Sequence, residues 1–324
     1  MKTVRDIGEF ALIERIARVI PTSPAVLEGI GDDCAVMRLD DRLLLASCDM
    51  SVEGVHFRRE QAAPDDIGWK VAAAALSDIA AMGGTPRFAL AAVSCPPDTP
   101  LTFVEELFKG MGNVLSQFGA VIVGGDTTRS RTGVAIDVTV LGEIYGDRYL
   151  RRTGAQIGDL LAVTGRLGLS AAGLHALEQR LDAPELVAAH FHPDPRIPEG
   201  QWLSTQTDVH AMIDVSDGLA QDAGHLVEAS DLGINLNGER IVPAPPLAEY
   251  CQRHGLTALD FMLAGGEDYE LLFALDPHSA PTLLDSFRTT FRTDATIVGE
   301  FTDAWTGIRL DGKPVAVAGF DHFK

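Results

Sequence analysis

Aspartates stand beside glycines, or at the ends of apolar runs, in several short segments of this chain. Asp32 and Asp33 follow a glycine in IGDDCAV, and the apolar residues after them indicate that the pair is not simply solvated. Adjacent like charges repel, so a positive partner is expected nearby. The same arrangement recurs in SCDMS, LSDIAAMGG, VGGDTT, IDVSDG and GGEDYE. Because glycine lets a ligand approach the backbone closely, these segments predict a ligand site.

Asp78 lies on the apolar stripe of a helix that the sequence predicts over 65–82. Ala74 and Met82 belong to the same stripe, four residues before and four residues after it. Side chains four residues apart share a helix face, so the carboxylate should point where the helix packs. An ionised group buried without a partner costs several kcal/mol, which predicts that Asp78 binds a metal or is otherwise neutralised. A buried hydrogen bond or an arginine partner is the alternative interpretation.

Carboxylates without accompanying histidines are typical of Mg²⁺ sites and do not suit Zn²⁺. Several acids in one site commonly hold more than one Mg²⁺ against phosphates. The chain contains no GxxxxGK[ST] segment and neither the HRD nor the DFG element of protein kinases. If it binds ATP, it must therefore use carboxylates and metal ions. The histidines of HFHP, at 190–193, are expected in a loop and are not assigned to magnesium.

Composition bounds the class of protein. The 324 residues suffice for two domains, and the net charge of −20 argues against a nucleic-acid backbone as the main ligand. The acidity fits either divalent cations or simple solubility. The four cysteines form no CxxC pair, which favours reduced thiols in the cytoplasm. The first 20 residues predict an amphipathic helix, not a signal peptide, and no apolar run is long enough to span a membrane.

Strand-like and helix-like segments alternate, which predicts an α/β or α+β fold. A polar, glycine-rich segment at 145–159 separates two halves, and we place the domain boundary between 148 and 149, giving domains 1–148 and 149–324. Several acidic segments begin where a predicted strand ends, which is where such folds present ligands. In the first half we predict strands over 41–48, 86–95, 120–126 and 133–144 and a helix over 101–118. A hairpin is predicted around Asp311 and Gly312.

Seven motifs, in order, resemble those of bacterial thiamine-monophosphate kinases. They are GIGDDCAV, GVHF after Asp49, KVAAAALSDIAAMGG, VGGDTTR, IDVSDG, GGEDYEL and GFDHF, and they run through nearly the whole chain. The resemblance implies a two-domain fold like that of aminoimidazole-ribonucleotide synthetase. Its N-terminal α/β domain would pair with a second copy in a homodimer, and an α+β domain would follow. It also implies transfer of the γ-phosphoryl group of ATP to thiamine monophosphate with several Mg²⁺ ions, the last step of thiamine diphosphate biosynthesis.

The resemblance also implies roles for individual residues. The metal ligands would be Asp33, Ser47, Cys48, Asp49, Asp78, Asp126, Asp214 and Asp217, with Asp32 a weaker candidate. ATP would contact Gly125, Asp126, Arg152 and Ser216, and thiamine monophosphate would contact His56, Glu267 and Phe320. Cys48 stands where the resemblance leads us to expect serine or threonine. A backbone carbonyl there would still bind Mg²⁺, whereas a thiol is a poor ligand.

The chemistry implied by the resemblance needs no strong general base, because the acceptor phosphate is already anionic. We therefore expect direct in-line transfer with no catalytic side chain apart from the metal ligands, Asp49 and Asp126 being the most critical. Glu267 would face the cationic thiazolium, and Phe320 would offer a face for stacking. A structural role for His56 and a core position for Phe320 are the alternatives.

Relatives with the same fold make selenophosphate, aminoimidazole ribonucleotide or a hydrogenase-maturation thiocyanate. Selenophosphate enzymes carry a reactive cysteine or selenocysteine near the N-terminus, and MKTVRDIGEF has neither. The hydrogenase-maturation relatives end in cysteine, whereas this chain ends in GFDHFK. GGEDYE and GFDHF also point away from the purine enzyme. A non-catalytic protein that binds ATP and Mg²⁺ without transfer is the alternative of another class.

Overall fold

The structure is a computed structural model that describes residues 3–315 and Phe323. It contains two sheets that follow one another along the chain. The first, of six strands, is built from residues 26–144, and the second, of seven strands, from residues 160–314. Phe320, predicted to contact the acceptor, lies outside the described residues.

The first sheet has the strand order β1-β2-β3-β6-β4-β5, with β4 and β5 parallel and the other neighbours antiparallel. Its strands are β1 Val26–Glu28, β2 Ala35–Leu39, β3 Arg42–Val52, β4 Thr85–Cys95, β5 Val121–Arg129 and β6 Ala135–Ile144. The strands β3, β4 and β6 bury alternate residues, as expected when one face of a sheet is covered. We call the covered face the inner face and the opposite one the outer face.

Two long helices cover the inner face: α2, Pro64–Ala81, and α3, Leu101–Gln117. α2 is buried along most of its length, since it packs on the sheet, on α3 and on the second half of the chain. Pro64 occupies its first turn together with two acids, which suits the free N–H groups there. The helix that precedes this sheet, α1, Glu9–Val19, buries none of its residues.

The second sheet has the order β13-β12-β9-β11-β7-β10-β8, and only β9 and β12 run parallel among its described strands. Its strands are β7 Leu160–Thr164, β8 Val209–Asp214, β9 Gly233–Leu236, β10 Leu271–Leu275, β11 Ala295–Thr302, β12 Gly307–Leu310 and β13 Lys313–Pro314. The helices of this half are α4 Leu169–Gln179, α5 Pro184–Phe191, α6 Ile197–Ser204, α7 Leu219–Ser230, α8 Pro245–His254, α9 Ala258–Ala264 and α10 Ala280–Thr290.

The predicted elements are confirmed where their periodicity is strong. The strands predicted over 41–48, 86–95 and 133–144, and the helices over 65–82 and 101–118, all form with shifts of a few residues at their ends. The hairpin forms between β12 and β13, with positive φ at both turn residues.

The loop predicted at HFHP is wrong in part. His190 belongs to the last turn of α5, and the helix ends only at Phe191. The proline that ends the motif stops the helix without removing His190 from it, because proline disfavours helix in the residue before it and not further upstream. The domain division after residue 148 stays a prediction. Among the described residues, no helix is long and apolar enough to cross a membrane.

Glycines set the contact between α2 and α3. A Cβ on Gly68 would lie 2.0 Å from the carbonyl oxygen of Leu107, and one on Gly110 would lie 2.0 Å from that of Asp65. The two helix backbones therefore touch at this crossing. Each glycine matters for its lack of a side chain, since both lie within helices where alanine is otherwise preferred.

Gly68→Ala should lower the free energy of unfolding by about 1–3 kcal/mol, because the helices must separate to admit the methyl group. Gly112→Ala, also in α3, is the matched control, since no atom lies within 4 Å of the position that a Cβ would take there. At that position alanine should leave stability unchanged or raise it by up to about 1 kcal/mol. Urea unfolding of the three proteins makes the comparison, and equal midpoints would contradict the close packing.

Candidate active site

Three aspartates from three separate segments meet at the interface of the two halves. Asp33 precedes β2, Asp78 lies near the end of α2, and Asp214 ends β8. Each offers a carboxylate oxygen within 4.8 Å of the others. Asp49, on the inner face of β3, joins them through a hydrogen bond with Asp78. We call these four residues the acid cluster.

Two serine hydroxyls support the acid cluster. Ser47, two residues before Asp49 on β3, donates a short hydrogen bond to Asp78. Ser77 on α2 donates to Asp214 Oδ2 over 2.7 Å, and this bond joins the two halves of the chain. Both serines are buried. The hydroxyls fix the orientation of the carboxylates but do not cancel their charge.

Arg152 supplies positive charge to one end of the cluster. Its Nε and Nη2 donate to Asp33 Oδ1 over 3.1 and 2.5 Å, and its backbone N–H donates to the Asp32 carboxylate. Asp32 Oδ1 also accepts the backbone N–H of Asp33 over 3.0 Å. The adjacent aspartates thus divide their functions: Asp32 holds the turn and the backbone of Arg152, whereas Asp33 faces the cluster.

Asp33 Oδ2 is buried without a hydrogen-bond partner. Its side chain has no exposed surface, and a buried carboxylate oxygen without a partner is costly. Burial and then repulsion from Asp33 raise the pKa of Asp214 to about 8, while burial and then Asp137 raise that of Asp49 to about 6. Burial, Asp49 and Asp214 raise the pKa of Asp78 well above its ordinary value. The metal-free cluster therefore retains protons near neutral pH.

A cleft of about 660 Å³ opens from the acid cluster and joins most of the residues predicted to form the site. The predicted residues that line it are Asp32, Asp33, Cys48, Asp49, His56, Asp78, Arg152, Asp214, Ser216, Asp217 and Glu267. Ser47 lies behind this surface and reaches it only through Asp78. The metal, nucleotide and acceptor residues named from the sequence thus share one cavity, except for Ser47, Gly125, Asp126 and the undescribed Phe320.

Asp126 lies apart from the cluster in a single chain. It stands on the exposed edge strand β5, in register with Ala92 of β4, then Asp137 of β6, then Met50 of β3. These positions point to the outer face, opposite to Asp49. Three strand spacings separate Asp126 from Met50, about 14 Å. Two aspartates cannot share one Mg²⁺ across that distance, because each Mg–O bond is only about 2.1 Å long.

Cys48 lies on the outer face at the rim of the cleft. Its thiol is 3.0 Å from Asp137 Oδ2, to which it can donate. Burial is the first cause that raises the pKa of this thiol, and Asp137 and Asp49 add to it. The side chain is therefore a neutral thiol and a weak ligand. Asp137, which no sequence motif indicated, thus contacts Cys48 on this face.

The packing of β4 against β5 explains why residue 125 is a glycine. Its φ is +155°, and a Cβ there would lie 1.8 Å from the carbonyl oxygen of Ala91. The register of β4 and β5 shifts just before this point. A glycine is therefore required for the two parallel strands to approach, with or without a bound nucleotide.

Asp217 belongs to a second group of potential ligands, with Asp222 and His225 on the first turns of α7. Asp222 is buried, and its Oδ2 accepts the backbone N–H groups of Asp217 and Gly218 over 3.1 and 3.0 Å. It shapes the turn that presents Ser216 to the cleft. Burial and then Arg152 lower the pKa of His225 to about 4, so this imidazole is neutral.

His56 and Glu267 approach the cleft from opposite halves. His56 Nδ1 accepts the backbone N–H of Val52 over 3.0 Å, so in the neutral ring Nε2 carries the proton and is the donor. Glu267 has φ +66°, and its backbone N–H donates to the carbonyl of Ser216. A Cβ on Gly266 would lie 2.3 Å from that carbonyl oxygen, so only glycine permits this approach.

Lys70 and His190 were not identified from the sequence. Lys70 Nζ lies 2.7 Å from Glu267 Oε1 and 3.1 Å from His190 Nε2. The sequence spacing could have indicated Lys70. It stands eight residues before Asp78, and residues seven or eight apart share a helix face, so both side chains point to the same side of α2. No comparable signal marks His190, whose place depends on how α5 packs.

The donor set fits Mg²⁺. The cluster offers carboxylate and hydroxyl oxygens without nitrogen, and the unpartnered Asp33 Oδ2 provides a vacant lone pair. At an effective dielectric constant near 20, two charges 4.8 Å apart repel by roughly 3–4 kcal/mol. Such a cluster is stable only when protons or cations compensate.

The chain matches the family of AIR synthase related proteins in both halves. The N-terminal domain of that family matches residues 31–144 and its C-terminal domain matches residues 156–311. The thiamine-monophosphate kinase of Aquifex aeolicus is 32% identical over 325 residues, covering 99% of this chain and 99% of the relative. That of Escherichia coli K12 is 36% identical over 330 residues, with 98% of each chain covered.

Solved structures agree with these matches. One described as AaThiL complexed with AMPPCP and TMP superposes with a TM-score of 0.88 at 32% identity, covering 99% of both chains. The hydrogenase maturation protein HypE of Escherichia coli has a TM-score of 0.69 at 22% identity, with 96% of this chain and 95% of that chain covered, and shows a shared fold. The first matches extend over both halves and over every segment that forms the cleft, and the chain therefore belongs to the thiamine-monophosphate kinase family.

Proposed function

We propose that this protein transfers the γ-phosphoryl group of ATP to thiamine monophosphate, forming thiamine diphosphate and ADP in the cytoplasm. The observation that carries the proposal is the meeting of Asp33, Asp78 and Asp214 in one cleft between the two halves. Family membership supports it, as does the relative solved with AMPPCP, an analogue of ATP, and TMP. The reaction joins two anions, and the carboxylates of the cleft would hold cations between them.

The acid cluster would hold Mg²⁺ through Asp33, Asp49, Asp78 and Asp214, with Asp217 a further candidate near the second loop. Mg²⁺ held by these carboxylates would supply the positive charge that offsets the repulsion between the donor and acceptor phosphates. Asp33 is the best-placed ligand, since it already has an unpartnered oxygen. The serines would keep the remaining carboxylates in position.

The other side chains of the cleft would bind and orient the anions. Arg152, already paired with Asp33, would donate to a phosphate of ATP when cations take over the carboxylate. His56 would donate from Nε2 to the acceptor phosphate. No described side chain is needed as a strong base, because the attacking phosphate oxygen is ionised near neutral pH. Transfer would therefore be direct, without a phosphorylated enzyme.

The outer face of the first sheet supports a homodimer. β5 is an exposed edge strand, and large apolar side chains are exposed on this face or at its edge. They are Met50, Phe88, Leu90, Val121 and Val123. An unpaired apolar sheet face is a typical interaction surface. A second copy covering it would also explain how Asp126, remote from the cluster of its own chain, takes part in a metal site: it would serve the other copy.

The assay that tests the proposed function follows ADP and thiamine diphosphate in the purified protein with ATP, Mg²⁺ and thiamine monophosphate. Equal amounts of both products should form, and EDTA should abolish them. A parallel reaction with free thiamine tests whether the acceptor must carry a phosphate. Nucleotide binding without diphosphate formation would support the non-catalytic alternative.

Matched variants locate the metal ligands in the same assay. Asp49→Asn should reduce turnover by at least about 100-fold, because a neutral amide replaces a carboxylate ligand. Asp126→Asn should do the same if a second copy brings it to the site. Asp303→Asn, at an exposed position, is the control. Near-normal turnover in either active-site variant would exclude that residue as a ligand.

Thermal stability of the metal-free protein should fall as pH rises from about 5 to 8. Asp49 and Asp214 have folded-state pKa values of about 6 and 8, above the ordinary 3.8, because burial and neighbouring acids disfavour ionisation. The folded state thus retains protons that the unfolded state has released, so stability decreases with pH. Melting curves in EDTA and in Mg²⁺ should diverge most at pH 8. Equal Mg²⁺ effects at pH 5 and pH 8 would contradict this account.

Val123→Asp should shift the protein from dimer to monomer in sedimentation velocity, because it places a charge in the apolar outer face. Leu101→Asp, at an exposed position that begins α3, is the control and should leave the dimer intact. If Asp126 serves the other copy, the monomeric variant should lose turnover while still binding Mg²⁺. A monomeric wild-type protein would overturn the dimer proposal.

A further inference from the structure

Lys70 is a buried lysine that the phosphoryl-transfer chemistry above does not use. It lies on the second turn of α2, and its side chain is 6% exposed. Lysine is rarely buried without a partner, because its ammonium group loses hydration. Both partners of Lys70, Glu267 and His190, come from the second half of the chain. The lysine therefore reaches across the interface beside the cleft.

The proton positions in this group follow from its contacts. An ammonium group can only donate, so His190 Nε2, 3.1 Å from Lys70 Nζ, must accept. The His190 proton then lies on Nδ1, which is 3.0 Å from Ser170 Oγ and donates to it. Burial and then Lys70 lower the pKa of His190 to about 4, in agreement with a neutral ring. The lysine is thus held by an oriented imidazole as well as by a carboxylate.

Glu267 occupies a backbone position that needs support. Its φ of +66° is unusual for a residue with a side chain, and Tyr269, two residues later, has φ +51°. The carboxylate of Asp268, between them, accepts the backbone N–H groups of Gly168 and Ser170 at the start of α4. Ser170 therefore ties both the loop and His190 to the same helix end.

The group borders a small cavity of about 130 Å³, which shares Asp49, His56 and Glu267 with the cleft. Asp49, His56, Lys70 and Glu267 line it together with Phe57 and other apolar side chains. The size and mixed lining suit part of an organic molecule with both polar and apolar groups. Because Lys70 cancels the charge of Glu267, this wall offers a fixed hydrogen-bond acceptor and a fixed donor with no net charge.

We propose that Lys70 is a positioning residue for the acceptor: from α2 it fixes the Glu267 carboxylate at the wall of this cavity, with His190 and Ser170 as its support. The inference rests on the proposed function, since the cavity is taken as the place where thiamine monophosphate binds. It differs from a simple attraction between Glu267 and the thiazolium, because the carboxylate already has a cationic partner 2.7 Å away.

Steady-state kinetics of Lys70→Met test the proposal in the full-length protein. The KM for thiamine monophosphate should rise about tenfold or more, whereas kcat and the affinity for the ATP analogue AMPPCP should change less than about threefold. Lys109→Met, at an exposed lysine of α3 paired with Glu106, is the matched control and should change none of them. A lysine needed only for folding would lower the active fraction and the melting temperature and leave KM unchanged, which would overturn the proposal.

A double-mutant cycle with Glu267→Gln shows whether Lys70 acts through the carboxylate. The double variant should have the KM of Glu267→Gln alone, because the lysine has nothing left to position. Multiplied effects would mean that Lys70 contacts the acceptor independently, and this would contradict a positioning role. Ser170→Ala, a milder change at the far end of the group, should raise KM by about two- to fivefold without unfolding the protein.

The two proposals fail in different ways. A wild-type protein that forms no thiamine diphosphate would contradict the proposed function. An active wild-type protein whose Lys70→Met variant keeps its KM for thiamine monophosphate would contradict only the inference about Lys70.

Discussion

Mutual repulsion among the buried carboxylates is the constraint on which the rest of the site depends. Asp33, Asp78 and Asp214 present oxygens within 4.8 Å of one another, and Asp49 adjoins Asp78. Each ionised pair would add roughly 3–4 kcal/mol of repulsion. The cluster therefore has two ways to become neutral, by taking up protons or by binding cations. Proton uptake and metal binding compete for the same oxygens, so metal affinity must increase with pH.

The helix α2 brings the two halves of the chain to this cluster. Lys70 lies on one side of this helix about two turns before Ser77 and Asp78. Lys70 contacts Glu267, Ser77 contacts Asp214, and Asp78 lies within the acid cluster. α2 can contact both halves because it is buried on nearly every side. The close glycine contact with α3 fixes the position of α2 on the sheet. The same helix thus provides part of the core, Asp78 of the acid cluster and the buried Lys70. A shift of α2 would disturb all three together.

Much of the fold and half of the site could be predicted from residue patterns alone. Helical phase was enough to direct Asp78 inward. A preceding glycine and an apolar sequel marked Asp33, and the end of an apolar run marked Asp214. Asp126 could not be placed in this way, since β6 inserts between β3 and β4 and the strand order does not follow the sequence. Alternation also assigns neighbouring residues to opposite faces, which separates Cys48 from Asp49.

Tertiary contacts, which local patterns do not encode, account for the remaining differences. His190 ends α5 instead of lying in a loop, and it becomes informative only beside Lys70. A lysine within an apolar helix usually extends its ammonium to solvent, so its sequence position alone does not indicate burial. The role of Asp222 is likewise visible only in the folded chain, where its carboxylate accepts two backbone hydrogen bonds that shape the turn at Ser216.

The net negative charge of the chain makes the charges inside the cleft decisive for anion binding. A chain of net charge −20 offers no general attraction to anions such as ATP or a phosphorylated acceptor. Salt screens that repulsion beyond about 8–10 Å, so the decisive field is the one inside the cleft. There Arg152 is already paired with Asp33, and in the adjoining small cavity Lys70 is paired with Glu267, so neither adds a free positive charge. For the anion binding proposed above, the positive potential must therefore come from bound cations, and the paired basic side chains would set geometry. On the proposed function, the acid cluster is then the condition for anion binding, and the paired basic residues are the source of selectivity.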